Sequence, residues 1–254
     1  MSRPAILITG AAKRLGAAIA RRFGKEGWHV VVHYGQSREA AEELAASLPS
    51  AETVQCDLAD GAAAVAMVKQ LAARLPDWRV LVNSASIFSE DTVTTLDPAT
   101  NREAMQVNAS TPAMIAQAFL AHSQTPHGRR VIAITDQKLA NPNPDFFSYT
   151  MSKQALAATV PMMAMGAGRK YDRIYAIAPG AILPSYDQSE AEFEVSGRLN
   201  LLKRRTGPDE IADAAWFLAQ GWVESGTTLF VDSGQHLQRH DRDVLYLARE
   251  GVRP

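Results

Sequence analysis

Tyr149 and Lys153 stand four residues apart, and Asp136 precedes the tyrosine by thirteen. Residues four apart share a helix face, so a phenol and an ammonium meet there. A free phenol titrates at about 10, and a neighbouring cation favours the phenolate and is expected to lower that value. The pair then reads as an acid for proton delivery. Asp136 follows the apolar run Val131-Ile132-Ala133-Ile134 and Thr135, at a strand exit, where open α/β sheets hold their ligands. It is either a turn or helix-cap acid or a third member of the same group.

The elements that must position these residues alternate along the chain. Apolar or β-branched runs predict strands at Ile6–Ile8, His29–Tyr34, Thr53–Leu58, Arg79–Asn83, Val131–Ile134, Ile174–Ala178 and Thr228–Asp232. Between them, helical periodicity covers Leu15 to Phe23, Ala40 to Leu48, Ala62 to Leu75, Asn101 to His122 and the segment from Tyr149 through Ala157. A last helix starts at Gly207-Pro208-Asp209-Glu210, with proline early and acids in its first turn. Strict alternation with strands apolar on both faces predicts one α/β domain over residues 1–254, a doubly wound Rossmann sheet of seven parallel strands with helices on both faces. Residues 181–206 show no clear period and are expected to form a mobile substrate loop, and residues 235–254 form a C-terminal tail. Pro161 is expected to kink its helix.

Composition excludes several classes. With 26 basic and 27 acidic residues among 254, no bulk attraction to nucleic acid or acidic membrane is expected. The single cysteine, Cys56, cannot close an internal disulfide, which suits a reducing cytoplasm. The first residues read as a strand rather than a signal peptide, and the weakly charged run Gln154–Gly168 is too short to span a bilayer. His122, His127, His236 and His240 lack metal-ligand spacing, so no metal is expected. Met162, Met163 and Met165 read as core or subunit contact.

Thr9-Gly10-Ala11-Ala12-Lys13-Arg14-Leu15-Gly16 joins the first strand to the first helix. Glycines there let backbone approach a pyrophosphate, which helix N-terminal amides can hold. The second strand ends His33-Tyr34-Gly35-Gln36-Ser37-Arg38 with no acid to accept from a ribose 2′-hydroxyl, and Arg14 stands in the turn. A cation in place of an acid favours a 2′-phosphate, hence NADPH.

Thr9-Gly10…Gly16, Asn83-Ser84-Ala85, Asn108, Tyr149-Thr150-Met151-Ser152-Lys153 and Pro179-Gly180 together resemble, in order and spacing, the classical short-chain dehydrogenase/reductase family. Within it the chain is most similar to the pteridine reductases, dihydromonapterin reductases included. The shared features are the Arg14-Leu15-Gly16 turn, the His33-Tyr34 strand end, the Tyr-Thr-Met-x-Lys segment and an aspartate, Asp136, where most members carry serine. A carboxylate accepts from N–H groups or relays a proton to a ring nitrogen better than it serves a simple ketone oxygen.

The resemblance implies a catalytic set of Asp136, Tyr149, Lys153 and Asn108, with Asn108 holding a water that extends the proton path from Lys153. It implies cofactor contacts at Gly10, Arg14, Leu15, Gly16, His33, Tyr34, Asp57 (toward adenine), Asn83, Ala85, Ser86, Lys153, Pro179 and Gly180. Ser86, Phe88, Asp136 and Tyr149 would meet the pterin, with Phe88 stacking on its ring. Ile87 and Pro184 depart from the pattern, the latter standing where many members place a nicotinamide-contacting threonine. A homotetramer is also implied, with the apolar end of the tail, Val244-Leu245-Tyr246-Leu247, docked on a neighbouring subunit.

The expected activity is NADPH-dependent reduction of a dihydropterin, such as dihydromonapterin, dihydrobiopterin or dihydrofolate, with proton delivery through Tyr149 and Asp136. A carbonyl reductase of 3-oxoacyl thioesters on the same fold, or a dinucleotide-binding protein without turnover, are the competing readings.

Overall fold

The computed structural model describes residues 3–166 and 169–252. Seven strands, β1 (Ala5–Ile8), β2 (His29–Tyr34), β3 (Ala51–Gln55), β4 (Trp78–Asn83), β5 (Arg130–Ile134), β6 (Arg173–Pro179) and β7 (Thr228–Val231), form one sheet in the order β3-β2-β1-β4-β5-β6-β7. Every pairing is parallel. The strand order reverses between β1 and β4, so the carboxyl ends of these two strands open a crevice where ligands of doubly wound sheets sit.

Period-two alternation divides the core between the two faces. Leu7, Leu81 and Val131 point to one side, where α3 (Gly61–Arg74), α5 (Thr111–His122) and α6 (Phe147–Gly166) pack. Ile6, Ile8, Val80 and Val82 point to the other, under α1 (Arg14–Lys25), α2 (Arg38–Ser47) and α8 (Pro208–Ala219). Phe23, Trp28 and Trp216 meet edge to face, with centroids 5.2 to 5.9 Å apart, and lock α1 to α8. Among the described residues no helix is long and apolar enough to cross a membrane. The last two residues of the Gln154–Gly168 run lie outside the described residues.

Four expectations are corrected. β3 ends at Gln55, which pairs with Tyr34, the last residue of β2. The Asn101–His122 helix is α4 (Pro98–Met105), a π-helical turn at Gln106–Ser110, and α5. Residues 181–206 hold α7 (Glu190–Ser196), started by a capping box between Ser189 and Glu192 and anchored by fully buried Phe193. The tail folds onto its own chain: α9 (Val244–Arg249) buries Val244 and Leu245, and Arg249 bonds Glu192 and Asp187 beside α7. Pro161 lies inside α6, which continues to Gly166.

Candidate active site

Asp136 leaves β5 in extended conformation and does two things at once. Its Oδ1 accepts from the Lys138 backbone N–H at 2.8 Å, capping a 3-10 turn at Gln137–Leu139, and its Oδ2 accepts from the Tyr149 hydroxyl at 2.8 Å. The helix-cap and site-acid readings of this residue therefore both hold geometrically. Lys153, one turn after Tyr149 on α6, donates to the Ile134 carbonyl at 2.9 Å, and its ammonium lies 5.6 Å from the Tyr149 ring centroid.

The electrostatics differ from the simple cation–phenol expectation. Burial, and then the Asp136 carboxylate, hold the Tyr149 hydroxyl well above the ordinary phenol value. Burial thus keeps the phenol protonated, with Asp136 rather than Lys153 as its hydrogen-bond partner. Burial raises Asp136 above its ordinary value, with Lys138 the largest opposing influence. Burial brings Lys153 down to about 8, against the pull of Asp136.

The first turn is built for backbone approach. Gly10 has φ +65°, and a Cβ there would stand 2.8 Å from the Ala85 Cα. The Gly10 N–H donates to His33 Nδ1 at 3.1 Å, so Nε2 carries the ring proton and faces the Cys56 carbonyl at 3.1 Å. Burial holds His33 neutral, with its pKa down at about 4. Thr9 Oγ1 accepts from the Ser84 and Ala85 amides at 3.0 and 3.1 Å, pinning the β4 exit beside the turn. Arg14 adopts φ +57°, the left-handed region glycine favours, and partial burial lowers its pKa with no carboxylate acting against it.

These groups line one cavity of about 600 Å³ at the carboxyl ends of the strands. Of the residues singled out in the sequence, Gly10, Arg14, Leu15, Gly16, Ala85 and Ser86 form one wall. Phe88, Asp136, Tyr149, Lys153, Pro179 and Gly180 form the rest. Five others stand outside it. His33 lies beneath the turn it supports, and Tyr34 is buried in the α1/α2 face of the core. Asp57 is exposed and accepts from the Ala59 N–H. Asn83 donates to the Pro112 carbonyl at 3.1 Å. Asn108, in the π-helical turn, uses both amide hydrogens on the Ile87 carbonyl and Ser152 Oγ, while its oxygen accepts from the Ile87 N–H. Both donors are taken by protein acceptors, and the residue clamps the segment that carries Ser86 and Phe88.

The sequence profile described as Enoyl-(Acyl carrier protein) reductase matches residues 10–236. The chain belongs to the short-chain dehydrogenase/reductase family. Its similarity to Pteridine reductase 1 of Leishmania tarentolae is 28% identity, over 93% of this chain and 97% of that one. A Granaticin polyketide synthase putative ketoacyl reductase 2 of Streptomyces violaceoruber matches at 28%, over 92% and 96%. Among solved structures, FolM Alternative dihydrofolate reductase 1 from Brucella canis, complexed with NADP, superposes with a TM-score of 0.87 at 32% identity, covering 94% of this chain and 96% of that one. The landomycin C-6 ketoreductase LanV, with bound NADP and rabelomycin, gives 0.81 at 27%, over 93% and 98%.

This short-chain oxidoreductase also draws on residues that motif reading missed. Lys138, Asp243, Val244 and Leu245 line the cavity. Phe88 stacks on Phe146 with centroids 4.0 Å apart and meets Tyr149 edge-on at 4.6 Å. Tyr246 of α9 extends that row, 5.8 Å from Phe146, and its hydroxyl donates to Glu90. The Asp243-Val244-Leu245 sequence, an acid before an apolar pair, carried the signature of a helix cap, and Asp243 does accept from the Leu245 N–H at 3.0 Å. Only the fold could show that this helix closes over the site.

Proposed function

We propose that the protein uses NADPH to reduce a ring C=N bond of a dihydropterin such as dihydromonapterin, dihydrobiopterin or dihydrofolate. The observation that carries this reading is the 2.8 Å hydrogen bond between Tyr149 and Asp136 inside the cavity. Two coupled acids suit protonation of a ring nitrogen, and a carboxylate accepts from the amino and N–H groups of a pterin. Similarity to the Leishmania pteridine reductase and the Brucella alternative dihydrofolate reductase supports the same choice.

The residues fit the cofactor. The Gly10 turn admits backbone to a pyrophosphate, and Arg14, without an acid beside it, is suited to a 2′-phosphate. Bound NADPH supplies the hydride. The chain's own part is the proton. Its relay starts from protonated Asp136, whose affinity burial raises: the Tyr149 hydroxyl turns from Asp136 to the ring nitrogen and gives up its proton there as Asp136 passes its own to the Tyr149 oxygen. A carboxylate and an intact phenol remain, so no buried phenolate has to form. Lys153, fixed on the Ile134 carbonyl, keeps a cation beside the couple. Phe88, backed by Phe146, offers an aromatic wall to a flat ring.

Ketoreductases among the relatives support a second reading, reduction of a 3-oxoacyl thioester. NADPH oxidation measured with 7,8-dihydropterins and with an acetoacetyl thioester, for wild type and Tyr149→Phe, decides between them. Turnover confined to the thioester would overturn the pterin reading, and tight NADPH binding without any turnover would favour a non-catalytic binder. A cytoplasmic homotetramer belongs to the same reading, and light scattering on the purified protein tests the assembly.

A further inference from the structure

Lys138 is a buried cation that the proton path described above does not use. It is 4% exposed, and its ammonium pairs with Asp243 Oδ2 at 2.6 Å. The same ammonium donates to the Asp145 carbonyl at 3.4 Å and lies 5.0 Å from the Phe146 ring centroid. Its backbone N–H holds Asp136, and its carbonyl accepts from Gln154 Nε2 of α6 at 3.1 Å. Asp243 is 8% exposed and comes from the other end of the chain. Its backbone N–H donates to Asp145 Oδ2 at 2.8 Å, where Arg242 Nε also donates at 2.9 Å.

A lone buried ion is strongly unfavourable, and each charge of the pair offsets the desolvation of the other. Both line the cavity alongside Asp136 and Tyr149. The charged and titratable groups acting on Asp136 are Lys138 from its own turn, Tyr149 and Lys153 from α6, and Asp243 from the tail. Lys138 and Asp243 therefore act on Asp136 with opposite signs while tying α9 to the wall.

We propose that Lys138 and Asp243 are a matched pair of positioning residues that fixes the C-terminal segment over the cavity and balances the charge on Asp136. The inference rests on the reductase reading for the purpose of Asp136, though its physical content does not. Removing the cation leaves the Asp243 carboxylate uncompensated in the cavity that Asp136 also lines, and removing the anion leaves an uncompensated ammonium. The two single variants must shift Asp136 in opposite directions, and the double variant must bring it back.

Carboxyl titration by NMR of the full chain, labelled with 13C at the aspartate side chains, measures this without any substrate. Loss of one resonance in Asp136→Asn assigns the residue. Lys138→Met is expected to raise its midpoint by about one pH unit, and Asp243→Asn to lower it by about as much. The Lys138→Met/Asp243→Asn double variant is expected within about half a unit of wild type. Lys138→Arg, which keeps the charge, is expected to keep the midpoint and serves where Lys138→Met does not fold. Shifts of the same sign, or unmoved midpoints with lowered melting temperatures, would overturn the proposal and leave a merely structural ion pair. Failure of the dihydropterin assay would instead remove the reductase reading and leave the titration result standing.

Discussion

The Tyr149 hydroxyl donates to Asp136 Oδ2 at 2.8 Å although the two residues sit on different elements, one on α6 and the other at the exit of β5. Burial, and then the carboxylate, keep the phenol protonated, while burial lifts the carboxylate against the hydrogen bond from Tyr149, which pulls it down. A relay through this couple needs Asp136 protonated at the start. Dihydropterin turnover is therefore expected to fall as pH rises through the elevated Asp136 value. In Asp136→Asn, kcat is expected to drop about 100-fold and that limb of the pH profile to vanish. A persisting limb in the variant would assign the titration to another group.

Substrate choice should follow the same residue. Most members of the family carry serine where Asp136 stands, and a hydroxyl can donate to a carbonyl oxygen where a carboxylate cannot. Asp136→Ser is expected to lose about two orders of magnitude in kcat/KM for dihydropterin and to gain on an acetoacetyl thioester. Parallel loss on both substrates would show that Asp136 supports the site without selecting its ligand.

Arg14 occupies a left-handed conformation, φ +57°, at the start of α1. A side chain there costs about 1–2 kcal/mol, which glycine would relieve apart from the entropy it adds to the unfolded chain. Arg14→Gly is expected to raise unfolding stability by about 0.5–1 kcal/mol and to weaken NADPH binding about tenfold or more. NADH binding should stay unchanged. Urea denaturation and fluorescence titration read the two effects separately, and a lost preference without gained stability would mean that the turn relaxes without strain.

Much of this architecture is legible in the residues. Two-sided apolar runs such as Val80-Leu81-Val82 place central strands, and the Tyr149–Lys153 spacing places two side chains on one helix face. What periodicity cannot show is contact between ends of the chain. α7 spans seven residues, too few for a clear period, yet its Ser189 and Glu192 cap was written in the sequence. The role of α9 depends on Asp243 reaching Lys138, 105 positions away on a different element. The direction of the Tyr149 shift also needed the fold, since only geometry shows Lys153 turned to a carbonyl and Asp136 to the phenol.

His33 is buried and neutral, with its pKa at about 4 against an unfolded value near 6.5. Above about 6.5 both folded and unfolded forms are neutral, and its hydrogen bonds contribute in full. Between there and 4 the unfolded chain takes up a proton that the folded one refuses, so stability falls as pH falls. From pH 7.5 to 5 this amounts to about 2 kcal/mol. His33→Asn keeps an acceptor for the Gly10 N–H but does not titrate. Urea unfolding at the two pH values should show the acid loss reduced by that amount, and an equal loss in both proteins would place the titration elsewhere.

Asn108 separates two ways of contributing to the reaction. If it governed the proton path directly, Asn108→Asp, which keeps the oxygen, would lower kcat and leave KM alone. The observed bonds predict otherwise, because both amide hydrogens hold the Ile87 carbonyl and Ser152, and Asp supplies neither. An unsatisfied buried carbonyl facing a new carboxylate costs about 2–3 kcal/mol of stability. It also frees the segment that presents Ser86 and Phe88 to the cavity. KM for dihydropterin is expected to rise about tenfold, with kcat and NADPH affinity changing little, since a loosened wall weakens substrate binding uniformly. Steady-state kinetics beside a thermal melt measures both effects. A kcat loss at unchanged KM would return Asn108 to the proton path.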